Sequence, residues 1–206
     1  PLDSVPYRFY YGSGTNITQT KDAIIDMTNY FSQTFGEMPF EKNGFASVPG
    51  FNGGMENQTL TTIYPSGWSQ ITDMIAHEYS HQWFGDMITC GTWADIWLNE
   101  GFATYCEALY TEHISGYSAY KNRLINTNAA EYLSQNPGWA MWNASWAVTT
   151  PPVNTLFNTA ITYDKGACVL HMLRYTIGDS LFFAALEAYA TYTVNFKLKN
   201  AITDDF

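Results

Sequence analysis

Apolar positions along the chain recur at helical spacing in several separate runs, and they form short β-like runs near the N-terminus. From about Thr20 to Phe35, Ile24, Ile25, Met27, Tyr30, Phe31 and Phe35 follow a helical period that stops at Gly36, with Pro39 beyond, which predicts a first helix. A second helical pattern runs from Ser66 or Ser69 as cap to Phe84 before Gly85, and a third from near Asn99 to about His113 before Gly116. Further helices are expected at about 162–177, ended by Gly178, and from Asp179 as cap to about Tyr192. Thr203, followed by Asp204 and Asp205, reads as the N-cap of one more helix, so the chain is expected to be cut from something larger. The β-like runs are Tyr7 to Tyr11, Phe45 to Val48 and Thr59 to Ile63, the last two separated by a glycine-rich loop that contains Gly53, Gly54, Met55 and Glu56. Between Gln135 and Pro152, three tryptophans and several prolines predict an irregular, aromatic-lined segment. The fold class is therefore α+β and mainly helical. Residues 1–206 are read as one domain, with a small β-containing part over about 1–65 and a helical part over about 66–206.

Composition narrows the function more than the fold. Seven Trp, fifteen Tyr and thirteen Phe supply a core large enough for one compact globule and exclude a disordered chain. The formal charge is −10, and the nine basic residues form no run, which argues against a nucleic-acid partner. An acidic surface either keeps the protein soluble or favours cationic peptide ends. No stretch approaches the roughly 20 uninterrupted apolar residues of a spanning helix, so no membrane insertion is expected. No leader or initiating Met precedes Pro1, which is read as a mature or excised start. Few lysines with abundant Asn, Thr and aromatic residues lean towards export without fixing a compartment. Cys90, Cys106 and Cys168 are too widely spaced for a paired thiolate site and are expected to be small buried thiols, a Cys90–Cys106 bridge being the alternative.

The chemistry concentrates in the second and third helical patterns. His77-Glu78-Tyr79-Ser80-His81 matches H-E-x-x-H. Residues four apart differ by about 40° around a helix, so both imidazoles reach one ion, while Glu78, about 100° from His77, is placed for a base beside the ion rather than a ligand. A catalytic zinc takes three protein ligands and keeps a position open for water. Glu100, on a separate predicted helix, supplies the third ligand and implies one Zn2+ per chain. Two His and one Glu disfavour a closed structural site, which is usually rich in Cys. His113 and His171, alone in their surroundings, are read as structural or solvated.

With that constellation in place, the chain resembles the M1 family of zinc aminopeptidases, in the thermolysin-like gluzincin group. The resemblance rests on four segments in the family's order: Gly54-Met55-Glu56-Asn57, the H-E-x-x-H, Asn99-Glu100-Gly101, and Tyr163-Asp164-Lys165-Gly166-Ala167. It extends from about Tyr30 to Gly178 and implies a thermolysin-like catalytic domain that acts on peptides with a free N-terminus. It also implies that Glu56 binds the substrate's α-ammonium, that Gly53, Gly54 and Met55 contact substrate, that Glu78 is the general base, and that the Tyr163 phenol donates to the oxyanion. In thermolysin an Asp four residues after the ligand Glu orients a ligand His; here that position is Thr104, and Glu107 or Asp95 is left to take the role, Glu107 preferred. Family members carry flanking N- and C-terminal domains that this chain has no room for. A thermolysin-like endopeptidase, a leukotriene-type epoxide hydrolase and a zinc-dependent binding module without turnover remain as alternatives.

Overall fold

In the computed structural model of the chain, residues 4–191 and 199–206 are described. The N-terminal part forms a four-stranded sheet in the order β1-β2-β4-β3, from β1 (Tyr7–Tyr10), β2 (Asn43–Ser47), β3 (Gly54–Met55) and β4 (Thr61–Ile63). β1, β2 and β4 run parallel, and the two-residue β3 lies antiparallel on the edge, with Gly54 opposite Ile63 and Met55 opposite Thr62. Between β1 and β2 runs α1 (Thr18–Phe35), whose buried face is Thr20, Ile24, Met27, Phe31 and Phe35. This spacing of three and four residues aims one stripe of the helix at the core.

The chain then enters the helical part. The single helix expected from Ser66 or Ser69 to Phe84 is three pieces: a 3-10 turn Pro65–Ser69, a π-helical turn Ile71–Ile75, and a short α2 (Ala76–Ser80) capped by His81, which still has helical backbone angles and is followed by turns. The apolar pattern continues past His81 because Trp83 and Phe84 are still core residues, and both are almost wholly buried. After β5 (Ile88–Cys90), the central α3 (Trp97–Ser115) is buried on every side from Trp97 to Tyr110. A helix covered all round is the hub of its domain.

The sequence pattern gave no sign of α4 (Tyr117–Asn122), the π-helical segment Arg123–Ala129 or α5 (Ala130–Gln135). The aromatic stretch that follows is irregular apart from a 3-10 turn Ala144–Ala147, and it leads to α6 (Val153–Leu156). A third π-helical segment, Thr159–Lys165, opens into α7 (Gly166–Ile177), followed by α8 (Asp179–Thr191). Tyr192, the expected end of that last helix, lies outside the described residues. β6 (Lys199–Ala201) pairs in parallel with β5, so a small second sheet sits inside the part read as purely helical. The last residues form a 3-10 turn, Thr203–Asp205, in which Ile202 holds the cap position; the Thr203 hydroxyl bonds to Asp95 instead of capping.

The aromatic residues close the core. Tyr79 and Trp83 pack against Phe31, and Phe84 against Phe35 and Phe102. Each such buried ring contributes about 1.5–3 kcal/mol by removal of apolar surface from water. The Tyr79 hydroxyl meets Thr28 Oγ1 at 2.7 Å and Tyr7 at 2.5 Å, which ties the helix of the H-E-x-x-H to α1 and β1. The cysteines are free; only Cys106 is fully buried, while Cys90 and Cys168 are half-buried at element edges. Among the described residues no helix is long and apolar enough to cross a membrane.

Candidate metal centre and cleft

His77 and His81 project from α2 towards α3, where Glu100 lies in the first turn. Glu100 Oε2 is 3.2 Å from His77 Nε2 and 3.4 Å from His81 Nε2, and one donor atom from each of the three residues falls within 4.8 Å of the others. The opposite ring nitrogens are already engaged. His77 Nδ1 meets Glu107 Oε1 at 2.7 Å, and His81 Nδ1 meets the Phe84 carbonyl at 2.9 Å. A carbonyl only accepts, so His81 donates from Nδ1, and the Glu107 carboxylate favours the same tautomer for His77. In that tautomer both Nε2 lone pairs face Glu100, which is the donor set and orientation a divalent zinc requires. The charges fit as well. Burial opposes ionisation of Glu100, yet the two histidines hold its carboxyl well below the usual range. Burial lowers the basicity of both imidazoles, but the neighbouring carboxylates together outweigh it, Glu100, Glu107 and Glu78 at His77 and Glu100 with Glu56 at His81; His77 is raised well above the ordinary value and His81 to about 9. Both Nε2 atoms are therefore placed where positive charge is favoured.

Of the two acids offered by the sequence to orient a histidine, Glu107 makes the contact and Asp95 does not. Asp95 accepts from Thr92 Oγ1, Trp142 Nε1 and the Thr203 backbone and hydroxyl, which places it at the junction of α3 with the C-terminal turn. Thr104 donates to the Glu100 carbonyl and touches neither imidazole. His113 stacks on Tyr30 and bonds to Asp26, and His171 bonds to Tyr120, both away from the centre.

Glu78 is 8% exposed and has no hydrogen-bond partner among the described residues. Burial pushes its pKa up to about 7; His77 and His81 oppose the shift, and Glu56 and Glu100 add to it. Glu56, Glu78 and His81 also bring donor atoms within 4.8 Å of one another. The edge strand β3 passes so close to this carboxylate that a Cβ on Gly54 would overlap it. Gln82, buried beyond the second histidine, ties the loop down: its amide donates to Asp86 and to the Glu56 carbonyl, and its oxygen accepts from Thr59 N. Tyr163 stacks on His77 with ring centroids 5.9 Å apart. Burial, and then the Glu100, Glu56 and Glu78 carboxylates, raise its pKa, so the phenol stays protonated and remains a donor.

Glu56, Glu100 and Tyr163 line a cleft of about 720 Å³ together with Gly54, Met55, Trp93 and Phe157. Glycines also allow a close approach where α3 meets α7. A Cβ on Gly101 would lie 2.9 Å from Gly166 Cα, and one on Gly166 would lie 2.7 Å from Gly101 Cα. This close approach brings the turn that carries Tyr163 up to the turn that carries Glu100. Gln82 and Arg123, which grips the far oxygen of Glu107, were not visible in the sequence as site residues.

A profile of the peptidase family M1 domain matches residues 16–206. Aminopeptidase N of Rattus norvegicus is 32% identical over 196 residues, covering 86% of this chain and 20% of its own length. Aminopeptidase 2 of Candida albicans is 30% identical, covering 98% of this chain and 23% of its own length. The chain thus spans about a fifth of the length of these curated relatives. Among solved structures, an M1 zinc metallopeptidase from Deinococcus radiodurans superposes with a TM-score of 0.78 at 30% identity, over 97% of this chain and 42% of the other. A mutant of that protein bound to a Tyr-Ser-Ala substrate gives 0.76 at 29% identity, over 96% and 41%.

Proposed function

This chain belongs to peptidase family M1, and from that premise we propose that it carries the catalytic site of a zinc aminopeptidase, which hydrolyses the first peptide bond of peptides with a free N-terminus. The observation that carries the proposal is the convergence of His77, His81 and Glu100, both imidazoles already oriented through Nδ1, beside a buried Glu78. His77, His81 and Glu100 hold one zinc ion, with Glu107 orienting His77. An ion held there would supply Lewis acidity for the scissile carbonyl and would lower the pKa of a water at the site.

The chain's own side chains do the rest. Glu78, with a pKa of about 7, accepts the proton of the attacking water and delivers it to the leaving amine. Tyr163 donates from its phenol to the oxygen on which negative charge develops. Glu56 pairs with the substrate's α-ammonium, and an internal peptide bond offers no charge there, so the preference for a free N-terminus follows. The Gly53-Gly54 backbone and Met55, which is 40% exposed in the cleft, hold the first residue in register. Residues 1–206 form the catalytic domain of a longer protein, a proposal supported by the fraction of its relatives that it spans.

The test is a panel of amino-acid 7-amido-4-methylcoumarins, free and N-acetylated, assayed on the full-length protein with Glu78→Gln and Glu56→Ala variants. Cleavage of free-amine substrates alone is expected, with Glu78→Gln slower by about 10²–10⁴ and Glu56→Ala weakened chiefly in KM. Equal cleavage of blocked substrates would replace the aminopeptidase with an endopeptidase. No cleavage of either by the zinc-loaded protein would favour an epoxide hydrolase or a binding module.

A further inference from the structure

Glu107, the acid that orients His77, is itself held by a residue from a part of the chain outside the four motifs. Arg123 opens the π-helical segment Arg123–Ala129; its Nη2 grips Glu107 Oε2, and its Nη1 donates to Asp73 Oδ1 at 2.7 Å. Glu107 Oε1 is thereby left to His77 Nδ1 at 2.7 Å. Asp73 lies in the π turn that leads into α2, four residues before His77. The four groups form one chain of charge-assisted contacts from Asp73 through Arg123 and Glu107 to the imidazole. Its middle is dry: the Arg123 and Glu107 side chains are 17% and 12% exposed, while Asp73 is open to solvent.

We infer that Arg123 is a positioning residue for the metal centre, acting on zinc affinity through Glu107; the inference rests on the metal site proposed above. A buried carboxylate with one small partner is free to rotate, and a planar guanidinium on its second oxygen fixes its plane. With the plane fixed, Oε1 stays on the Nδ1–H of His77, which keeps the Nε2 lone pair turned to the ion. Outer partners of this kind change metal affinity by about 10–100-fold when removed. The π geometry fits such a role, because π turns sit frequently at functional sites and shift the register of the side chains that follow.

The experiment is zinc affinity by competition with a chromophoric chelator, in the full-length protein, for wild type, Arg123→Ala, Arg123→Lys, Glu107→Gln and the Arg123→Ala/Glu107→Gln double variant. Arg123→Ala is expected to bind zinc about tenfold or more weakly. Arg123→Lys, a point charge without the fork, is expected to recover part of the loss. The double variant should bind no more weakly than Glu107→Gln alone, because Arg123 acts through that carboxylate. A purely structural role predicts additive losses instead. Additive losses, or an Arg123→Ala affinity equal to or tighter than wild type, overturn the inference; if Arg123→Ala does not fold, Arg123→Lys and its double variant with Glu107→Gln give the same comparison. Wild-type protein that binds no zinc would overturn the metal site itself, a separate failure.

Discussion

Removing one oxygen from Tyr163 would leave its ring stacked on His77 and take away only the donor. Tyr163→Phe is therefore expected to lower kcat by about 10²–10³, the effect of one lost oxyanion donor at about 2.7–4 kcal/mol, with KM within a few-fold and zinc content unchanged. Steady-state kinetics beside a metal assay decide it; a kcat within threefold of wild type removes the phenol from the mechanism. The legibility of residues such as this one is uneven, for physical reasons. His77, Glu78 and His81 are readable because four-residue spacing on a helix fixes their mutual direction before any tertiary structure is known. Tyr163, one of fifteen tyrosines, is readable only through the motif that surrounds it. Gln82 and Arg123 are not readable at all, because a polar side chain becomes part of a site when neighbouring elements bury it, and no periodicity records which elements will meet.

At the scale of elements, the sequence pattern finds α1, α3, α7 and α8 to within a few residues and misses the three π-helical segments. In Ile71–Ile75 and Thr159–Lys165 the apolar positions merge with the adjoining α-helical pattern, so the widened turn leaves no separate mark; yet of the three, one precedes His77, one carries Arg123 and one carries Tyr163. The 117–135 stretch escapes because it is largely exposed and has no strong apolar stripe, Tyr120, Leu124 and Asn128 being its buried residues. The crossing of α3 and α7 makes a prediction of its own. Alanine is ordinarily better than glycine inside a helix by about 1 kcal/mol. At Gly101 the added methyl meets backbone rather than a movable side chain, with Gly166 Cα at 2.9 Å and Thr162 O at 3.2 Å. Gly101→Ala is thus expected to destabilise by about 1–3 kcal/mol, overpacking outweighing propensity. It should also slow turnover, since the displaced turn carries Tyr163. Urea denaturation showing an unchanged or raised midpoint would mean that the two helices are not held at the separation the glycines allow.

For the whole molecule, the three proposed ligands join two helices that the chain brings together from either side of β5, and they do so in a protein of formal charge −10. A divalent ion at that junction would cross-link α2 to α3 and neutralise part of a carboxylate cluster made of the buried Glu78 and Glu100 and the half-buried Glu56, whereas the unfolded chain has no preformed site for it. Binding to the folded state alone stabilises by RT ln(1 + [Zn]/Kd), about 2.7 kcal/mol at a hundredfold excess over Kd and about 4.1 at a thousandfold. Removing zinc with a chelator is therefore expected to lower the Tm, and graded return of zinc should raise it logarithmically. His81→Ala should abolish that zinc-dependent increment, whatever it does to the chelated protein. Mutation of Asp95, which bonds to Trp142 and Thr203, should lower the Tm of both forms by the same amount. The difference between these two responses separates a metal ligand from a residue that only joins elements, and it does so without an activity assay. A Tm that ignores zinc in the wild-type protein would mean that the convergence of His77, His81 and Glu100 is an ion-pair cluster of the core, with no metal in it.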